Sequence, residues 1–226
     1  MIKAKDIYKQ IKNLTIGLIR MGLSEDQNFP SFKNLRDNIE EVSVNVDGEA
    51  IFLKNVSYEE MYSLLCQKRM FNIKMIDGAL IQMQYRFRKG IVEKHRLAFI
   101  PSPNLEPFQN DPDIYLKDEM YNDVLDKRIV TVPLRFDFDN GEDESGKKIS
   151  VPVVHPISHL TLGQYKNCRI PVSSALTPCQ LVKFIVMNFY DLGSNVQTVS
   201  FFNCQDSFES TLYPEEKKLI KVCTPE

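Results

Sequence analysis

Tryptophan is missing from this 226-residue chain, and glycine is scarce at 9 copies. Loops that cradle phosphate need glycine at fixed places, and neither G-x-x-x-x-G-K-[ST] nor G-x-G-x-x-G occurs. G-x-S-x-G and H-E-x-x-H are absent too, which removes the nucleophile-elbow hydrolases and the zincins. No cofactor is expected. No apolar run approaches the ~20 residues that span a bilayer, and Met1-Ile2-Lys3-Ala4-Lys5-Asp6 carries no apolar signal core. A cytoplasmic protein without a membrane partner is therefore expected. The five cysteines (Cys66, Cys168, Cys179, Cys204, Cys223) are odd in number and never form C-x-x-C, so neither a disulfide framework nor a zinc knuckle is indicated. Free thiols, mostly in the core, are the expectation. Charge of one sign is lacking as well: 28 Lys plus Arg against 30 Asp plus Glu leave a net charge of -2, which excludes nucleic-acid binding by bulk charge alone.

What is present suits a folded core, with 43% hydrophobic and 26% charged residues. The chain reads as one α+β domain over residues 1–192 with an extension, 193–226, packed on the same domain. A mainly antiparallel twisted sheet with about four packing helices is predicted. Ala4, Ile7, Ile11, Leu14 and Leu18 recur at three- and four-residue spacing before Gly22, which predicts an amphipathic opening helix with a glycine C-cap. A polar loop holds Asn28-Phe29-Pro30. Val42, Val44 and Val46 then alternate up to Asp47-Gly48, a hairpin turn signal, with Ile51, Phe52 and Leu53 as the return strand. Ser57 and Glu60 form a capping-box pattern for a second helix, buried through Tyr58, Met61, Tyr62 and Leu65.

From Gly78 the period changes to two. Ile81, Met83, Tyr85 and Phe87 alternate with Gln82, Gln84, Arg86 and Arg88, and Lys89-Gly90 turns the chain back. The apolar pattern is best satisfied when Tyr85 faces His95, Met83 faces Leu97 and Ile81 faces Phe99, leaving Arg86, Arg88, Lys94 and Arg96 on the other side. Asp111-Pro112 starts a further helix. Leu134, Phe136 and Phe138 alternate with Arg135, Asp137 and Asp139 in a strand whose preceding Pro133 argues for an edge position. An extended stretch over 149–162 breaks near Pro156, a short strand follows at 168–172, and Thr177-Pro178 opens a helix apolar on most sides, with Phe184, Ile185 and Phe189 assigned to the core. Residues 196–202 and 218–222 read as marginal strands.

Arg135, Asp137, Asp139, His155 and His159 carry the chemistry. Strand alternation puts Arg135, Asp137 and Asp139 on one face, a guanidinium for phosphate and carboxylates for a proton or a metal, while the histidines titrate near neutral pH. A purely structural reading competes: Arg135 pairs with Asp137 or a neighbouring strand residue on a solvated face, and the histidines bond backbone in a Pro-containing loop. A simple hairpin with Phe136 opposite Val151 would set Asp137 against Ser150 and leave His159 out of reach. His155 and His159 have zinc spacing for a helix, but Pro156 and Gly163 argue against one. His159-Leu160-Thr161 is half of an H-x-[ST] phosphoesterase pair whose second half is missing.

Asp26-Gln27-Asn28-Phe29-Pro30, Met75-Ile76-Asp77-Gly78, Leu134-Arg135-Phe136-Asp137-Phe138-Asp139 and, above all, the stretch from His155-Pro156-Ile157-Ser158-His159-Leu160-Thr161-Leu162-Gly163 to Cys168-Arg169-Ile170-Pro171 resemble a bacterial family catalogued as a domain of unknown function. The match runs from the first helix to about Asp191 and more weakly beyond. A fainter likeness is to TumE-like toxins of bacterial toxin–antitoxin pairs, through an R-F/Y-D-x-D/N strand followed by a histidine-rich H-P segment. That likeness implies a nuclease-type site at Arg135, Asp137, His155 and His159, although the loop spacing departs from the pattern.

Three readings follow. The first is a small nuclease or phosphodiester-processing enzyme in a toxin or defence setting, acting on RNA or DNA, with catalytic His155, His159, Arg135 and Asp137. The second is a non-catalytic subunit that binds a protein encoded nearby. The third is a nucleic-acid-binding module using Arg86, Arg88, Lys94 and Arg96.

Overall fold

The computed structural model describes residues 2–44, 56–103, 132–165, 167–190 and 202–225. The opening helix α1 spans Ala4–Arg20 and buries all five of the spaced apolar residues. Gly22, at φ 71°, then stops it. Ser24–Gln27 (β1), Ser31–Leu35 (β2) and Ile39–Ser43 (β3) follow. The segment around Asn28 is thus two short strands flanking a loop, hidden in the sequence because their residues are polar and partly exposed. Helix α2, Tyr58–Gln67, is capped by Ser57, whose side chain accepts from Glu60 N. Ile73–Met75 (β4), Leu80–Arg88 (β5), Ile91–Ile100 (β6), Leu134–Asp139 (β7), Ser158–Leu162 (β8) and Ile170–Pro171 (β9) complete the strands. Helix α3, Pro178–Phe189, starts at a Thr177–Gln180 capping box with proline in its first turn.

The sheet is antiparallel throughout its strand pairs, in the order β1-β4-β5-β6-β7-β8-β9. β3 also pairs with β5, beyond the end of β4, and β2 flanks it. Where β4 gives way to β3, the Asn72 side chain fills the gap by accepting from Met83 N at 2.6 Å. The β5–β6 register is the one the apolar pattern requires: Tyr85 opposite His95, Met83 opposite Leu97 and Ile81 opposite Phe99.

One sheet face, with Ile81, Met83, Tyr85, Phe87, Leu97, Phe99, Phe136, Phe138 and Leu160, joins α1 and α3 in the main core. The opposite face carries an apolar patch under α2, where Leu80, Ala98 and Ile100 meet Met61 and Leu65. Beyond that patch it carries the charged residues.

Several expectations change. β7 is an interior strand between β6 and β8, because Pro133 lies just before it and costs the ladder no donor. The strand that returns against β7 begins only at Ser158, since residues 149–156 are used in turns and isolated bridges. Cys179 and Cys204 form a disulfide, while Cys66, Cys168 and Cys223 are free. Phe184 is 37% exposed, whereas Ile185 is fully buried, so α3 is only partly enclosed. Residues 216–222 form a 3-10 turn and a single bridge, Val222 to Val172. The Asp47-Gly48 hairpin, the Asp111-Pro112 helix and residues 196–201 of the first marginal strand lie outside the described residues. No helix among the described residues is long and apolar enough to cross a membrane.

Candidate functional site

Strand register builds the polar face in rows. One row runs Gln84, Arg96, Asp137, His159 across β5, β6, β7 and β8, each opposite the next. A second runs Glu41, Arg86, Lys94, Asp139 from β3 to β7. Directly opposed side chains on an antiparallel pair are near neighbours, so each row brings acids against bases.

Asp137 is the hub of the first row. Its Oδ2 accepts from Arg135 Nε at 2.6 Å and its Oδ1 from Arg96 Nε at 3.3 Å. His159 Nε2 stands 3.8 Å from Oδ2, too far for a hydrogen bond but close enough for strong attraction once the ring is charged. Burial alone would push the Asp137 carboxyl up, but the Arg135 and Arg96 guanidiniums, with His159, outweigh it and hold it below the usual carboxylate range. It is therefore a carboxylate at neutral pH.

His159 is nearly enclosed, at 3% exposure. Burial pushes its imidazole below the ordinary value despite the pull of Asp137, so the neutral ring is favoured. Its Nδ1 lies 3.1 Å from the Pro156 carbonyl oxygen. A carbonyl only accepts, so the proton sits on Nδ1 and the Nε2 lone pair points toward Asp137. The His155 ring packs edge-on against His159, with centroids 5.3 Å apart, and is half-buried. Arg135 and Arg96 keep about a quarter of their side-chain surface, at 24% and 25%. The groups a solute can reach are accordingly His155, Arg135 and Arg96, with His159 and Asp137 behind them.

The structure thus brings together Arg135, Asp137, His155 and His159, which the Phe136–Val151 hairpin would have kept apart. Arg96 joins them from the set assigned to nucleic acid. The signal for it was available, since it lies on the polar face of the predicted register; what was missing was the pairing of β6 with β7. Asp139 is engaged elsewhere: it accepts from Lys94 Nζ at 2.8 Å and from Gly141 N at 3.1 Å. The Arg135–Asp137 pair and the His159–Pro156 contact are those that the purely structural reading expects. His155 and His159 do not share a helix, lying on an isolated bridge and on β8, and no group of three or more His, Cys, Asp or Glu among the described residues is placed to hold a metal ion.

The basic face is largely neutralised within the fold. Arg86 pairs with Glu41 at 2.6 Å, Arg88 with Glu93 at 2.5 Å, Lys94 with Asp139 and Arg96 with Asp137. A narrow notch in the gap between β3 and β4, lined by Val44, Met70, Phe71, Asn72, Gln82 and Gln84, lies strands away from the histidines.

Residues 23–224, a span holding every member of the cluster, match the model of the family described as "Uncharacterized conserved protein (DUF2290)". The chain belongs to the DUF2290 family. The match starts after α1 and continues past Asp191, so the C-terminal segment is part of the DUF2290 unit. No curated protein and no solved structure matches this DUF2290 chain.

Proposed function

We propose that the chain is a phosphodiester-processing enzyme of the nuclease type, in which Arg135 and Arg96 hold a phosphate and His155 moves the proton. The observation that carries this reading is the convergence of two guanidiniums and the His159 imidazole on the one carboxylate of Asp137, with the His155 ring packed against His159, on the polar face of the sheet. A guanidinium keeps its charge at any working pH and offers several donors to phosphate oxygens. His155 is the more accessible of the two imidazoles, half-buried where His159 is enclosed, and an imidazole can both accept and donate a proton. His159 and Asp137 act from behind: the carboxylate orients the guanidiniums and stabilises any positive charge that reaches the imidazole pair. With the TumE-like likeness, the proposal extends to a bacterial toxin or defence setting.

Purified protein incubated with RNA, single- and double-stranded DNA and nucleotides tests it. Cleavage by the parent is expected, with loss of turnover in His155→Ala and Arg135→Ala at an unchanged melting temperature. Absence of turnover on every substrate class would sink the enzyme reading.

One observation favours the second reading, a non-catalytic subunit of a bacterial complex. Ile149, Val151, Val153 and Val154 are all exposed on the loop that precedes His155. Apolar side chains grouped at a surface mark protein contacts. The two readings separate on whether His155→Ala abolishes turnover or Val154→Asp abolishes association with a co-purifying protein.

A further inference from the structure

The loop that delivers His155 is built against the preferences of its own residues. Val151 and His155 form an antiparallel bridge with both hydrogen bonds made, at 2.8 and 2.7 Å, so only Pro152, Val153 and Val154 turn the chain. Val153 takes the strain, at φ 66°, a left-handed conformation that a β-branched side chain avoids. Burial of the loop's own side chains does not compensate, because Val151, Val153 and Val154 are 47%, 44% and 67% exposed. Something outside the loop must hold it.

That group is Glu216. It lies in the Glu216–Lys218 3-10 turn, in a run of charged residues that reads as solvated surface, yet it is 1% exposed. One carboxylate oxygen accepts from Val153 N at 3.0 Å and the other from Tyr213 N at 3.0 Å. A second tie runs beside it, Ser150 Oγ to the Tyr213 hydroxyl at 3.0 Å. The carboxylate thus fixes the one amide whose residue is strained and locks it to the C-terminal segment, two positions before the histidine.

We propose that Glu216 is the positioning residue of His155: by clamping Val153 in its left-handed conformation it sets the His155 ring against His159. The inference deepens the enzymatic reading and rests on it for its kinetic consequence, but not for its structural one. No sequence signal pointed to Glu216, which stands 61 positions from His155 by its number and belongs to no motif.

The chain has 3 histidines, so their ring protons can be assigned individually by NMR. The parent should show a cross-relaxation peak between the His155 and His159 rings, whose centroids lie 5.3 Å apart. Glu216→Ala should lose that peak and move the His155 signals toward those of a free imidazole, while the signals of core-buried His95 stay in place. Val153→Gly added to Glu216→Ala should restore the peak, because glycine adopts the left-handed region without penalty. Glu216→Gln, which retains an acceptor oxygen, should keep it. In a turnover assay Glu216→Ala should lower kcat roughly 10- to 100-fold with little change in KM, the signature of a misplaced group, and Val153→Gly should recover most of the loss. Unchanged His155 signals in Glu216→Ala would overturn the proposal. Should Glu216→Ala not fold, Glu216→Asp takes its place, and His155 signals that stay put there overturn it equally. A parent without turnover defeats the enzymatic reading alone, since the NMR comparison still decides the positioning role.

Discussion

Asp137 and His159 face each other directly across β7 and β8, with His159 Nε2 3.8 Å from Asp137 Oδ2. The pair couples a buried imidazole to a carboxylate that two guanidiniums already hold. Removing the carboxylate charge should lower the proton affinity of the ring, because Asp137 is the larger of the two influences, with the Pro156 carbonyl, that raise it against burial. In Asp137→Asn, an NMR titration should place His159 below its parent value. An unchanged or raised midpoint would show that the two groups do not interact.

Acid should destabilise the fold through His95. This ring is fully buried, its Nε2 accepting from Leu176 N at 3.1 Å, and burial pushes it down to about 4. The unfolded imidazole, at about 6.5, takes up a proton first as pH falls, so the stability contributed is complete above pH ~6.5 and lost toward pH ~4. Between those limits roughly 3 kcal/mol is at stake, and buried His159, also depressed, acts in the same direction. Denaturant melts at pH 7 and 4.5 should show the loss, and His95→Gln, which retains an acceptor for Leu176, should flatten the slope. Equal slopes for parent and variant would exclude His95 as the source.

Along α3 two neighbouring residues should respond very differently to truncation. Ile185 is wholly buried, and Ile185→Ala should cost about 2 to 5 kcal/mol in a denaturant melt. Phe184 touches Phe136 and Phe189 at its edges but is 37% exposed, so Phe184→Ala should cost roughly 1 to 2 kcal/mol. The reverse order would mean that the helix is rotated.

The Cys179–Cys204 disulfide ties the start of α3 to the C-terminal segment across a sequence separation of 25. Closing a loop of that length removes unfolded-state entropy worth about 3 kcal/mol. Cys204→Ser should therefore melt several degrees lower than the oxidised parent, and dithiothreitol should lower the parent but not the variant. A parent indifferent to reductant would show that the bond does not form in solution.

Sequence alone determined the elements whose signal is local. The three- and four-residue repeat from Ala4 to Leu18 makes α1, Thr177-Pro178 starts α3, and the alternation from Ile81 to Phe99 permits one register of the β5–β6 hairpin, because a slip by one residue would turn every apolar side chain to the wrong face. The chemistry of Arg135, Asp137, His155 and His159 was legible as residue types on a strand and a loop. Whether they meet was not. A strand after Asp139 can return through a short hairpin onto residue 149 just as well as through a longer excursion to Ser158, and the packing of Leu160 beside Phe136 into the main core goes with the second. Glu216 lay further from view, because a carboxylate that reaches back from the C-terminal segment to one strained amide leaves no periodic trace. Local patterns fix helices and hairpins through interactions a few residues apart, whereas the site is made by contacts between distant segments, which burial of the whole core decides.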